Sequence, residues 1–488
     1  MGEELTLFRP EFNKSIRIES RPERLTAESG AIVLRDVMER LRLGEWLEER
    51  LLDRRNPDRI THPQIELLRT SVLLLAQGWR DQDDADPLRE DGVLRLAVSK
   101  RRGVSPLEAH PRQDGKPADR NPAEPEGLPS QPTLSRLARG LAEDTNRAVL
   151  RDSLVEATSR RVRAMRGGHR QRYVTLDVDS LPIEVHGHQL GSEHNGHYHA
   201  RIFHPLVATA AELGDLLDVQ LRPGNAHTAA GDLEFILPLL DRVERRLCQV
   251  AAVRIDAGFP DEELLAALEK RRTPYVARIK NNAVLDRMAQ AHLTRPVGRP
   301  PAEPRTWTVE MTYRAKDWSR ERRVVLVIQE RPEELLLHYF WLLTSWTAKE
   351  KDAQTLLETY RQRGTAEGHL GELMSVLRPA LSSSPRPKTH YRGKKPKKRH
   401  AAANSFHINE ALLLLNALAY NVAHTARVMM EVATGEGWSL QRLRERVLRV
   451  AGRLLLHGRR ATLVLAPASA KLWTALLSQL RRLRYAET

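Results

Sequence analysis

Apolar side chains recur at helical spacing near the start of the chain: Val33, Leu34, Val37 and Leu41, then Ile65, Leu68, Val72 and Leu75. That period predicts a helical N-terminal region. Residues 103–129 are rich in Pro, Gly and charge and almost lack large apolar residues, so they cannot support a core and read as a linker. Behind Ser130, the segment SQPTLSRLARGL predicts a helix presenting Thr133, Ser135, Arg136 and Arg139. Those residue types contact DNA; a solvated helix face is the alternative.

From Arg172 the period changes to two. In RYVTLDVDS, Val174, Leu176 and Val178 share one face and Tyr173, Thr175, Asp177 and Asp179 the other, which predicts a strand. Strand-like runs follow at His204–Thr209 and Leu216–Leu221, then a helix from near Thr228 to Arg246. The run QVAAVRID predicts a buried strand. A helix opened by Asp261, Glu262 and Glu263 and closed by Lys270, Arg271 and Arg272 leads to one more, PYVARIK. The order βββαβαβ is that of an RNase H-like α/β core. Residues 283–345 interrupt it with Pro-rich sequence and the runs WTVEMTYR, RRVVLVIQE and LLLHYFWLLTS, read as a β-rich insertion whose last strand can return to the main sheet. A long helix from near Ala348 to Arg378 follows, then a basic loop over residues 385–400, and a helical C-terminal region closes the chain.

The length of 488 residues implies several domains. The expected division is a helical DNA-binding region at 1–170, the two parts of the core at 171–282 and 346–425 around the insertion at 283–345, and the helical region at 426–488. A formal charge of +15 favours a polyanionic partner, nucleic acid first. In the loop PRPKTHYRGKKPKKRH, eight of the residues, Lys394, Lys395, Lys397, Lys398 and Arg399 among them, are cationic. The single cysteine, Cys248, excludes an intrachain disulfide framework and a Cys-rich zinc site. With no apolar signal core and no apolar run approaching the roughly 20 residues a bilayer needs, a cytoplasmic protein is expected.

Two-metal phosphoryl transfer requires carboxylates from separate segments to converge on two divalent ions. Asp177 and Asp179 lie on the polar face of the first core strand, Asp256 ends a buried strand, and Glu367 sits on the later helix. An aspartate at a strand end can also simply cap a turn. At about 100° per residue, Arg363, Glu367 and Met374 fall within about 60° of Tyr360 on one helical face. A glutamate flanked by Tyr and Arg suits a metal ligand beside two phosphate-holding groups; an exposed face with ordinary salt bridges is the alternative. Gly364, Gly368 and Gly371 are costly in a helix, and close approach of a backbone or of DNA would explain them.

At these residues the chain resembles the DDE transposases of bacterial insertion sequences, in the branch whose motif is Tyr, two residues, Arg, three residues, Glu, six residues, Lys. Tyr360, Arg363 and Glu367 match, and Met374 stands at the Lys position. The segments GWRDQDDADPLRED, VDSLPIEVHGHQLGS, LLDVQLRPGNAHT, RIDAGFP and YRQRGTAEGHLGEL are similar to the insertion sequence thirteen-eighty family. The resemblance covers about residues 60–425. It implies Mg²⁺-dependent cleavage at inverted-repeat ends by two ions, with Mn²⁺ able to substitute, joining to target DNA, a homodimer bridging two ends, and a bacterial, nucleoid-associated location. It also implies Asp179, Asp256 and Glu367 as catalytic metal ligands, with Asp177 as a helper, and Tyr360 and Arg363 on the terminal phosphate. Asp179 is preferred to Asp177 because Ser180 follows it, as in related enzymes. Arg378, eighteen residues after Tyr360, projects onto the same stripe and is a candidate for the missing lysine's task, or else a solvated helix end.

Weaker signals remain. His186, His188, His194, His197, His199 and His204 invite a zinc reading, but without fixed ligand spacing a polar hairpin near the active site is preferred. Trp307 and Trp318, in the insertion, are candidates to receive a flipped base. Two other functions stay open: an RNase H-fold nuclease that cuts without joining, and a decayed transposase acting as a DNA-binding repressor.

Overall fold

The computed structural model describes residues 3–4, 10–16, 18–20, 23–99, 127–169, 171–185, 187, 189–298, 302–332, 334–383, 404–457 and 460–485. Its centre is one mixed sheet of eight strands: β1 (Tyr173–Ser180), β2 (Leu206–Ala210), β3 (Leu216–Gln220), β4 (Gln249–Ile255), β5 (Tyr275–Ile279), β6 (Arg305–Tyr313), β7 (Arg322–Glu330) and β8 (His338–Thr344). The order across it is β6-β7-β8-β5-β4-β1-β2-β3. β1, β2 and β3 form an antiparallel meander, while β4 runs parallel to β1 and β5 parallel to β4. β8 joins β5 antiparallel and continues into β7 and β6, so the three strands of the 283–345 segment extend the main sheet.

The longer helices are α1 (Ala31–Arg40), α2 (Gln64–Ala76), α3 (Gln131–Leu141), α4 (Asp144–Met165), α5 (Asp232–Arg246), α6 (Glu262–Arg271), α7 (Ala283–Gln290), α8 (Ala353–Arg361), α9 (Arg363–Glu372), α10 (Ser405–Thr434) and α11 (Pro467–Arg482). The alternation in β1 decides which face each helix covers. Val174, Leu176 and Val178 pack with Phe235, Leu239, Leu264, Leu268 and Leu285 of α5, α6 and α7 in one core. On the opposite face, Leu356 and Leu357 of α8 bury against Val276, Val325, Val327 and Leu342. The polar side of β1, with Asp177 and Asp179, is thereby turned toward the α8–α9 side of the sheet.

Three expectations are corrected. The helix expected to run unbroken to Arg378 turns at Gln362 between α8 and α9, and ends in a π-helical turn, Leu373–Leu377. The boundary expected at 425 falls inside α10, a thirty-residue helix buried nearly all round among α1, α2, α3, α4 and α11. The C-terminal region, expected to be helical, also holds a two-stranded ribbon, Gly452–His457 with Arg460–Leu465, whose first strand pairs with Leu25–Thr26. The N-terminal helices, α10 and this C-terminal part share one hydrophobic core. Among the described residues, no helix is long and apolar enough to cross a membrane.

Candidate active site

Register brings the first two acids together. In the parallel β1–β4 pair, Val178 lies beside Ile255 and Asp177 beside Arg254. Side chains two apart share a face, so Asp256, the residue after β4, arrives at the same sheet edge as Asp179, one strand spacing away. Glu367 is on α9 and reaches the pair through Arg363. One guanidinium nitrogen, Nη2, donates to Asp179 Oδ2 at 2.6 Å and the other, Nη1, to Glu367 Oε1 at 2.6 Å. The Asp179 Oδ1 accepts the Ser180 backbone N–H at 2.8 Å. Burial raises the Asp179 pKa above the usual carboxylate range; Arg363 opposes this, and the charges of Asp256 and Glu367 add to it.

A metal must fit this set as it stands. Three carboxylates from three elements are hard oxygen donors suited to a divalent cation. Yet among the described residues no three Asp, Glu, His or Cys side chains stand close enough to share an ion. The reason is visible: the Arg363 guanidinium, itself a cation, lies between Asp179 and Glu367. It neutralises the two carboxylates that face it.

Asp177, the expected helper, is engaged elsewhere. It is 3% exposed and receives two bonds from Arg254, Nε at 2.5 Å and Nη2 at 2.6 Å. Burial raises its pKa while Arg254 opposes. The Arg254 Nη1 donates to the Thr359 carbonyl at 2.7 Å, at the end of α8 where the chain turns into α9. Asp177 therefore fixes the arginine that braces the base of the glutamate-bearing helix. Replacing Asp177 by Asn leaves that buried guanidinium uncompensated, and a loss of about 3–5 kcal/mol is expected in urea unfolding. A loss below about 1 kcal/mol would show the pair to be dispensable.

Two residues belong here that the sequence reading did not single out. Arg254 carried a signal, a lone cation within the apolar run QVAAVRID, which demands a buried partner. Tyr198, in the turn between Glu193–Asn195 and Ala200–Phe203, lies within electrostatic reach of Asp179 and Asp256; burial first, then their charges, raises its pKa. The histidines around it drew attention instead. Tyr360, near the end of α8, packs against the apolar cluster under that helix; burial, with the Asp256 charge adding, pushes its hydroxyl up to about 12.

Other candidates fall differently. Met374 lies in the π-helical turn and packs against the core shared with α10, where a lysine ammonium would be costly. Arg378 is an exposed left-handed cap, φ 49°, whose Nε donates to the Ser375 carbonyl at 2.8 Å. The π turn shifts the helical phase, so the straight-helix projection onto the catalytic stripe does not hold for it. Trp318 is buried beside Tyr313 and Arg322 in the turn between β6 and β7, and Trp307, paired with Ile328, is half-buried against the core that includes α7. Arg136 is exposed on α3 and lines a cavity of about 600 Å³ with Leu134, Arg139 and Asn416, which shares no residue with the carboxylate cluster. Beyond their own helix's backbone, Gly364, Gly368 and Gly371 have no described protein atom within 4 Å of where a Cβ would stand, so close approach of another protein backbone does not explain them. Lys394, Lys395, Lys397, Lys398 and Arg399, with His186 and His188, lie outside the described residues.

A mixed sheet presents two aspartates at neighbouring strand ends, faced by a helix whose arginine links one of them to a glutamate, in a protein of the α/β class. The chain belongs to the family described as transposase DDE domain group 1, whose model matches residues 8–385. It is a transposase by family, and DDE transposases use divalent metal ions. Among solved structures it is similar to a piggyBac transposase synaptic complex with hairpin DNA, at 12% identity over 93% of this chain and 81% of that chain, with a TM-score of 0.38. No curated protein matches it.

Proposed function

We propose that this transposase binds the inverted-repeat ends of a bacterial insertion sequence, cleaves them and joins them to target DNA on an RNase H-like core. The strand order 3-2-1-4-5 from β3 to β5, antiparallel in the first three and parallel thereafter, supports the core assignment. The carrying observation is Arg363 between Asp179 and Glu367 with Asp256 on the adjoining strand end.

Asp179, Asp256 and Glu367 would hold two Mg²⁺ ions, or Mn²⁺ in their place. Bound there, such ions supply an activated water and stabilise the leaving oxygen. Arg363 then turns from the carboxylates to the terminal phosphate, which its forked guanidinium suits, with Tyr360 beside it. The open ridge of Gly364, Gly368 and Gly371 leaves room for the DNA backbone against α9. Lys394, Lys395, Lys397, Lys398 and Arg399 supply sequence-independent phosphate contacts, and a homodimer bridges the two ends.

The test is incubation of the protein with Mg²⁺ and DNA carrying the gene's own flanking ends, followed by sequencing of every new junction. Cleaved ends joined to target DNA are the expected products. Cleavage without joining would replace this reading with a nuclease, and binding without cleavage with a repressor.

A further inference from the structure

The outermost strand of the extended sheet, β6, is an open edge that the carboxylate site does not use. It pairs with β7 over nine consecutive residues, Arg305 to Tyr313, without a bulge. Among the described residues its backbone makes no hydrogen bond except to β7, so every second N–H and C=O along it points outward without a protein partner. The usual devices that keep such an edge from pairing are missing. RTWTVEMTY holds no Pro and no Lys, and its one Arg is balanced by one Glu, a neutral strip in a chain of formal charge +15.

The two faces of β6 say what would continue the sheet. Trp307, Val309, Met311 and Tyr313 lie against the core that includes α5, α6 and α7 and stay only partly covered. Thr306, Thr308, Glu310 and Thr312 form the other face, where Arg361 Nη2 of α8 donates to Thr306 Oγ1 at 3.3 Å and Arg323 of β7 pairs with Glu310. A second β6, antiparallel and centred on Val309, pairs all nine residues with nine and keeps like faces together. Trp307 then stands opposite Met311 of the second copy and Val309 opposite Val309, joining the two half-covered apolar stripes. Thr306 meets Thr312, Thr308 meets Glu310 and Arg305 meets Tyr313, so no like charges oppose. Centring on Glu310 would set two glutamates face to face, and centring on Thr308 would carry Pro304 into the ladder.

We propose that β6 is the interface between two copies of this chain, which join edge to edge, antiparallel about Val309, into one continuous sheet. The pairing names a surface for the homodimer in the reading above and does not depend on DNA.

The test uses the full chain without DNA or metal, so its failure is distinct from a failure of end cleavage. Sedimentation of the wild type over a dilution series should show a reversible monomer–dimer equilibrium. Thr308→Glu places a carboxylate opposite Glu310 at two symmetric positions and should weaken the dimer several-fold, whereas Thr308→Lys places a cation there and should tighten it several-fold. General repulsion between two chains of formal charge +15 predicts the reverse order. Val309→Cys sets two thiols opposite each other on the axis, at a Cα spacing of about 4.5–5.5 Å that a disulfide spans. Mild oxidation should link that variant into dimers but not the wild type, whose single cysteine, Cys248, is buried. Leu455→Cys, exposed on the C-terminal ribbon, should also stay unlinked. A wild type that is monomeric up to its solubility limit overturns the proposal. So does a dimer that ignores both Thr308 variants or follows the reverse order, and so does a Val309→Cys protein that links no better than Leu455→Cys.

Discussion

Asp179→Asn, Asp256→Asn and Glu367→Gln are each expected to reduce cleavage of the flanking ends by at least on the order of a thousandfold, about 4 kcal/mol of transition-state stabilisation. End binding should remain within a fewfold of wild type. In the proposed mechanism these carboxylates would hold ions that activate water and stabilise the leaving oxygen, a role amide groups cannot take, whereas affinity would come from cations spread over the surface. The three should not behave alike without metal. Asp256 has no ion-pair or hydrogen-bond partner for its carboxylate among the described residues, so Asp256→Asn should leave the Arg363 bridge intact. Asp179→Asn removes one end of that bridge and Glu367→Gln the other. Single-turnover cleavage assays with a parallel binding assay measure both quantities, and wild-type rates in any variant would remove that residue from the site.

The sequence carried much of this site because its chemistry follows strand periodicity. Asp177 and Asp179 alternate with Val174, Leu176 and Val178, and that alternation survives in the sheet as two faces packed against different helices. It did not distinguish the roles of the two aspartates. The distinction depends on register with β4, which sets Arg254 opposite Asp177 and leaves Asp179 at the open edge. The π-helical turn after α9 was likewise beyond a fixed 100° projection, because it arises where Leu373, Val376 and Leu377 bury against the helical core. The ribbon at Gly452–Leu465 depends on a partner strand more than four hundred residues earlier, which no local pattern announces.

Arg363→Ala tests the most direct physical consequence of the site. Its guanidinium neutralises Asp179 and Glu367 and is itself only 9% exposed, so on the proposed reading a divalent cation would have to displace a buried, doubly bonded competitor. Hydrogen bonds to charged groups contribute about 1.5–3 kcal/mol each, so losing this competitor should tighten binding of Mn²⁺ to the DNA-free protein by about tenfold or more. The opposite effect is expected on chemistry. Without the fork proposed to hold the terminal phosphate, cleavage should fall by on the order of a hundredfold even at saturating metal. Arg363→Lys should recover little of either property, because one ammonium cannot span two carboxylates and then grip a phosphate bidentately. Spin-resonance titration of free Mn²⁺ gives the first quantity independently of activity, and saturating-metal cleavage rates give the second. Tighter Mn²⁺ binding with impaired cleavage would show that the arginine keeps ions out until DNA draws it away. Unchanged Mn²⁺ affinity in Arg363→Ala would show that the bridge yields to metal without cost, and would leave Arg363 as a phosphate contact alone.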